Sequence, residues 1–268
     1  VAELHAEQVR VTGYAVVEGT RTSDELECLR IALDELLKCQ ESAAGGRERL
    51  AHIGEADVVR APLAEDPRFL EIARDGTILT IVQALLGEYV ILMQQNGNVN
   101  RPDEAHAQAA YHRDLPYQHL VTSRPLAVSA LLCLDPFEPD TGCTWVIPGS
   151  HKVEAFPSDR YVERMAQPVS AKPGSYILMD AMLYHRAGTN RSTEVRRAVN
   201  TVFSLPFIKQ QIALPALLDG RWSGDAFLAR FLGYESDPPR SVAEYRASRQ
   251  ARTTAGRHVG PPTSTEDS

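Results

Sequence analysis

Two short stretches carry the side chains best suited to chemistry: Tyr111-His112-Arg113-Asp114 and, further along the chain, Tyr184-His185-Arg186-Ala187-Gly188-Thr189-Asn190. Residues two apart on an extended strand point to the same side, so His112 and Asp114 present an imidazole and a carboxylate to one point. A helix would separate them. With His185 as a third donor, brought in from a distant strand, the set suits Fe(II) held on one face with the opposite face open to a co-substrate and oxygen. A bare His-x-Asp is common in proteins, so the reading depends on its company. Arg196 supplies part of it. It sits in the strand-like run Val195-Arg196-Arg197-Ala198-Val199 among apolar neighbours, and its planar fork suits a carboxylate inside a pocket. Arg197, on the other face of that strand, suits a surface ion pair.

The remaining histidines read more plainly. His5 and His258 lie in polar terminal regions, His52 has no partner motif, and His106 falls in the polar stretch 102–108. His151, after Pro148-Gly149-Ser150, reads as a turn-stabilising or packing residue, and His119 faces either substrate or solvent.

The elements that must position these groups change character along the chain. Residues 11–17 alternate and are rich in valine, which predicts a short strand. Thr22 with Glu25 makes a capping box, and Leu26, Leu29, Leu33 and Leu36 then give a helix one apolar face. Pro67 opens a second helical region that runs through Ile78, Ile81, Val82, Leu85 and Leu86 to Gly87, a candidate left-handed cap. Residues 89–95 are short, apolar and β-prone. From Leu126 onward, alternation at Leu126, Val128, Ala130, Leu132 and Leu134 opens a β-rich region, repeated at 143–147, 175–180 and 195–205 between turn signals. Short strands with turn-rich spacing indicate a sandwich or barrel. Helical pieces at 224–232 and 241–250 read as peripheral. The segment 251–268 is poor in apolar residues and reads as a flexible tail after a single domain spanning 1–250.

Composition narrows the function classes. The chain has 268 residues, 43% of them hydrophobic, which is enough for a substantial core. Its net charge of -7 comes from 28 basic and 35 acidic residues without a basic stripe, so nucleic acid is not an expected partner. No apolar run approaches the roughly 20 residues of a membrane helix, and no leader is evident, so a soluble cytoplasmic protein is expected. Cys28, Cys39, Cys133 and Cys143 lack metal or redox spacing and read as buried, inert thiols.

Taken in order, these motifs resemble the phytanoyl-CoA dioxygenase family of Fe(II)- and 2-oxoglutarate-dependent oxygenases. The resemblance runs over residues 11–206. It is carried by Tyr111-His112-Arg113-Asp114-Leu115-Pro116, by Asp140-Thr141-Gly142-Cys143-Thr144-Trp145-Val146-Ile147-Pro148-Gly149-Ser150-His151, by Lys172-Pro173-Gly174-Ser175, and by His185-Arg186-Ala187-Gly188-Thr189-Asn190 with Arg196. It implies a mainly β fold with flanking helices: a double-stranded β-helix, jelly-roll and cupin-like, with N-terminal helices on its larger sheet. It also implies that His112, Asp114 and His185 bind Fe(II), that Arg196 pairs with the distal carboxylate of 2-oxoglutarate, and that a polar residue on the strand before His112 assists. Gln95 matches that place by spacing, with Gln94 the alternative if the register slips. Many members carry a serine two residues after the distal histidine, where this chain has Ala187; Thr189 or another hydroxyl is expected to compensate.

The resemblance implies a dioxygenase that hydroxylates an unactivated C-H bond of a polar small molecule, amino-acid-like or a biosynthetic intermediate, using oxygen and releasing succinate and CO2. Asp114 argues against halogenation, because related halogenases replace this carboxylate with a small residue. Desaturation, ring formation and epimerisation diverge later and stay open. A second reading is a divalent-metal jelly-roll hydrolase or isomerase, since the same three donors suit zinc; it gives Arg196 no task. A third, a silent binding module, would be expected to lose a metal ligand, and none is missing. The substrate-facing mouth is expected within 96–119, with Asn98, Asn100, Arg101, Tyr117 and His119, together with Arg186. Oligomeric state is not legible.

Overall fold

Thr22 and Glu25 start the longest helix as their spacing predicts: the Thr22 hydroxyl accepts from Glu25 N at 3.3 Å, and Glu25 Oε2 accepts from Thr22 N at 2.7 Å. That helix, α2 (Ser23–Ala43), is one of five that precede most of the sheet. The others are α1 (Ala2–Thr12), α3 (Arg47–Ala51), α4 (Pro67–Ala73) and α5 (Gly76–Leu86). The computed structural model describes every residue except 20, 105, 107, 116–119 and 255–268.

The strands are β1 (Tyr14–Val17), β2 (Val58–Arg60), β3 (Ile91–Asn100), β4 (Ala127–Cys133), β5 (Thr144–Val146), β6 (Gln167–Val169), β7 (Tyr176–Asp180), β8 (His185–Ala187) and β9 (Arg196–Ser204). They pair antiparallel in a six-stranded sheet of order β1-β7-β4-β9-β3-β2 and a three-stranded sheet of order β6-β5-β8. This is the mainly β double-stranded β-helix with flanking helices.

Alternation sorts the major sheet's two faces. One packs against the helices, through Leu92, Val99, Val128, Ala130, Leu132, Val199 and Phe203 against Leu26, Leu29 and Leu33 of α2 and Phe69 of α4. The other contributes Leu131, Ile177, Met179 and Ala198 to a second cluster with Cys143, Val146 and Val169 of the minor sheet. Close approach of α2 requires Gly97. A Cβ there would lie 2.2 Å from Leu33 Cδ1 and 3.3 Å from Val59 Cβ. We expect Gly97→Ala to lower unfolding free energy by about 1–3 kcal/mol through overpacking. Chemical denaturation should show Gly97→Ala costing little in a Leu33→Ala background, where the clashing Cδ1 is gone; an equal cost in both backgrounds would exclude the clash as the cause.

Several expected boundaries move. The strand expected at 11–17 begins at Tyr14, because α1 occupies the preceding residues and ends at Gly13 in the left-handed region. The helical stretch after Pro67 breaks at Arg74, where Asp75 starts α5 by accepting from Thr77 N and Ile78 N at 3.0 and 3.2 Å. Gly87 caps α5 with positive φ, 93°, but its ψ of 177° lies outside the left-handed helical region, in a conformation essentially reserved for glycine. The strand expected at 89–95 continues through a polar run to Asn100, since β9 and β2 bond both its edges and override its weak propensity. Residues 226–231 are not peripheral: Leu228 and Phe231 enter the helix-side core.

Compact contacts divide the chain into a unit ending at Tyr234 and a second beginning at Glu235. In the second, a helix spans Val242–Thr254, so it takes in four residues assigned to the tail. Residues 255–268 of that expected tail lie outside the described residues. Among the described residues, no helix is long and apolar enough to cross a membrane. Only Cys133 and Cys143 are the buried thiols expected, Cys133 pushed well up and Cys143 up to about 11 by burial. Cys28 and Cys39, on α2, are exposed.

Candidate metal centre and co-substrate pocket

His112 and His185 come from segments far apart in sequence that bond directly to each other. His112 N donates to His185 O at 2.9 Å and His185 N to His112 O at 3.1 Å. This pairing puts the imidazoles 4.4 Å apart between centroids. Two residues on, Asp114 is anchored by its backbone N–H to Ala181 O at 2.9 Å, so its side chain joins theirs. One donor atom from each of His112, Asp114 and His185 lies within 4.8 Å of the others. Asp114 Oδ1 stands 4.0 Å from His112 Nε2 and 3.6 Å from His185 Nε2.

Hydrogen bonds behind these groups prepare the donor atoms. His112 Nδ1 bonds Ala110 O at 2.9 Å, and His185 Nδ1 bonds Leu183 O at 3.0 Å. A carbonyl accepts only, so each Nδ1 carries a proton, which in the neutral tautomer leaves the lone pair on Nε2, the nitrogen facing Asp114. His112 Nε2 is buried without a hydrogen-bond partner. Burial and the neighbouring His185 hold the His112 imidazole below its ordinary pKa, with Asp114 opposing, so it stays neutral further into acid and protons compete less with a cation. Two imidazole Nε2 atoms and a carboxylate, with one nitrogen orphaned, fit a divalent metal.

Ser129 of β4 donates to Asp114 Oδ2, the oxygen turned away from the imidazoles. Sequence reasoning missed it. The available signal was a hydroxyl inside an apolar strand. We expect Ser129→Ala to weaken metal binding by about tenfold, the low end for lost outer hydrogen bonds. Isothermal titration with Co(II) checks this, and unchanged affinity would show that the carboxylate needs no such support.

Beyond His185 a pocket is lined by Arg196, Asn98, Asn200, Thr144, His106 and Arg186 among others. Arg196 leaves β9 on the inner face and is 4% exposed, with no hydrogen bond or ion pair to its guanidinium among the described residues; its Nε is orphaned. Its Cζ lies 4.3 Å from the Phe137 ring centroid. Burial pulls its pKa down to about 10, opposed weakly by Cys133, Cys143 and Asp135. Arg197 faces the other way, paired with Asp34 at 2.8 Å and Asp135 at 3.1 Å.

Gln95 does not reach this pocket. Its Nε2 donates to Phe69 O at 2.8 Å and Thr201 Oγ1 at 3.2 Å, on the side where α4 packs. A register shift between Leu92 and Gln94 inverts the parity expected from spacing, and Gln94 pairs with Val202 of an inner cluster. Gln94 is therefore the inward glutamine, and Asn98, four residues on, lines the pocket itself.

Other expectations resolve individually. Ala187 is directly opposite Thr144 in the minor sheet, and Thr144 lines the pocket. Asn100 serves structure, donating to Gly188 O at 2.9 Å, while Asn190 returns a bond to Asn100 O at 3.0 Å. Arg101 pairs with Asp57 at 2.7 Å. His151 is buried and bonds Arg10 O at 3.2 Å. His106, assigned no role, enters the pocket: its Nδ1 accepts from Gln108 N at 3.1 Å, Nε2 is orphaned, and burial lowers its pKa to about 4. Tyr117 and His119 lie outside the described residues.

Residues 9–198 match the family model described as phytanoyl-CoA dioxygenase. An uncharacterised protein of Mycobacterium tuberculosis is 37% identical over 209 residues, 75% of this chain and 74% of that protein. Among solved structures, EctD from S. alaskensis with 2-oxoglutarate and 5-hydroxyectoine is 23% identical over 76% of each chain, with a TM-score of 0.63. The epimerase SnoN in complex with Fe3+, alpha ketoglutarate and nogalamycin RO is 20% identical over 81% of this chain and 88% of its own, with a TM-score of 0.62. At such identity these two speak for the fold, and the family model speaks for descent. The chain belongs to the phytanoyl-CoA dioxygenase family of Fe(II)- and 2-oxoglutarate-dependent oxygenases.

Proposed function

We propose that this protein hydroxylates an unactivated C-H bond of a polar small molecule, with Fe(II) held by His112, Asp114 and His185 and 2-oxoglutarate as co-substrate. One observation carries the reading: an unpaired, buried Arg196 guanidinium lines the pocket that His185 also lines. A buried cation without a partner is costly, and a dicarboxylate supplies the missing charge. When bound, Fe(II) and 2-oxoglutarate supply oxygen activation, coupled to release of succinate and CO2.

The chain's own residues then bind, orient and shield. His112 and His185 offer Nε2 lone pairs held by the Ala110 and Leu183 carbonyls, and Asp114 offers Oδ1 while Ser129 holds Oδ2. Arg196 takes the distal carboxylate, and the Thr144 hydroxyl stands in for the one Ala187 lacks. Leu131 and Met179 give the pocket an apolar wall that limits water around the chelate. Asn98, Asn200 and Arg186 offer polar groups toward a substrate, which favours one bearing a carboxylate or several polar substituents.

Two relatives in fold mark the neighbouring outcomes, one holding 5-hydroxyectoine beside 2-oxoglutarate and the other an epimerase. The metal-hydrolase alternative leaves Arg196 without a partner. Anaerobic titration with Fe(II) and then 2-oxoglutarate tests the proposal. A weak visible charge-transfer band should form, and air should release succinate. Tight zinc binding with neither band nor succinate would favour the hydrolytic alternative.

A further inference from the structure

Behind the two histidines, on the face away from the donor atoms, a cation and an aromatic ring join the segments that carry them. Strand alternation that turns His112 and Asp114 inward turns Arg113 outward, and it does the same to Tyr184 beside His185. Because His112 and His185 are direct partners, Arg113 and Tyr184 are opposed in the next pair. The Arg113 Cζ lies 4.0 Å from the Tyr184 ring centroid, and both residues are buried.

The same guanidinium donates to Ser150 O at 3.1 Å and Val153 O at 2.5 Å. Ser150 closes the circuit, since its Oγ accepts from Tyr184 N at 2.9 Å. Phe156, further along that segment, meets Tyr184 edge-on at 4.9 Å and 86°. The guanidinium thus ties its own segment to the Tyr184 segment and to the 150–153 turn, with its flat face on the ring and its edge on the carbonyls.

We propose that Arg113 and Tyr184 are positioning residues for the metal centre, a cation–π clamp that holds the His112 and His185 imidazoles at the separation a divalent metal needs. The inference rests on the metal reading above. Neither side chain touches the metal; each acts through the ligand next to it in sequence.

Co(II) titration of the full chain, followed by its visible absorption and by calorimetry at a temperature where circular dichroism shows each variant folded, tests the clamp. Arg113→Met should raise the Co(II) dissociation constant by about 10- to 100-fold and alter the absorption band, as losses behind metal ligands do. Tyr184→Leu should reproduce this, and Tyr184→Phe, which keeps the ring, should recover most of the affinity. Arg30→Met serves as the control for stability alone, because Arg30 makes comparable bonds to Leu134 O, at 3.0 and 2.6 Å, far from the ligands in sequence. It should lower the melting temperature without changing Co(II) affinity. Should Arg113→Met fail to fold, the Tyr184 pair decides alone. Parent-like Co(II) affinity in folded Arg113→Met, or in Tyr184→Leu, overturns the clamp while leaving the metal site standing. Parent protein whose Co(II) binding is absent or insensitive to His112→Ala overturns both.

Discussion

Asp114→Ala is expected to abolish succinate formation coupled to substrate oxidation while leaving the fold in place. The carboxylate is the one negatively charged group of the donor set, and Oδ1 is the atom shared between the two imidazoles at 4.0 and 3.6 Å. A protein ligand that fixes a catalytic metal is worth several kcal/mol of transition-state stabilisation, so turnover should fall on the order of 10³-fold or more. Folding should survive for two reasons. The Asp114 backbone bond to Ala181 O does not depend on the side chain, and removing a carboxylate that is only 6% exposed relieves its desolvation. The Ser129 hydroxyl loses its acceptor, a cost of about 1 kcal/mol. Circular dichroism with coupled product analysis measures both halves. Undiminished product would remove Asp114 from the site.

The second large effect concerns Arg196 and has two signs. Arg196→Met should weaken 2-oxoglutarate, with the loss in kcat/KM for the co-substrate about 10²- to 10³-fold, as expected when a buried charged pair loses one partner. Co(II) affinity should stay near that of the parent, because Arg196 belongs to the pocket wall and is not a metal donor. Stability of the ligand-free protein should rise. Burial lowers the folded pKa to about 10, below the ordinary guanidinium value, and a shift of that size corresponds to about 3 kcal/mol of penalty for the charged form. Unfolding takes up protons at pH values between the folded and unfolded pKa. The penalty is therefore complete below pH 10 and fades as pH rises through it. Methionine removes the charge and keeps much of the volume, so up to about that amount is recoverable, less the stacking on Phe137 at 4.3 Å. 2-Oxoglutarate should raise the melting temperature of the parent and hardly move the variant. A variant less stable than the parent, with an undiminished ligand shift, would count against a carboxylate role.

Legibility tracked how local each feature is. The Thr22 and Glu25 box, the α2 leucines and the alternation in β4 are written within one turn or one strand, and they appear as expected. His112 and Asp114 share a side because strand parity needs no partner to define it. Their meeting with His185 was readable because a second motif at 184–190 and a family resemblance over residues 11–206 stood beside them. The glutamine assignment failed where parity itself depends on a partner. One extra residue opposite β9 turned Gln95 toward Phe69 and Gln94 inward.

The sequence by itself determined the donor types, the fold class, and the arginine that faces inward. Only the tertiary structure decided which polar groups from other strands support them. Ser129, Thr144, Asn200 and His106 stand near the site through cross-strand pairing and loop closure, and chain separation carries no trace of either. The physical reason is that side-chain direction is a local property of the backbone, whereas which strand lies beside which, and in what register, is set by the burial of whole faces.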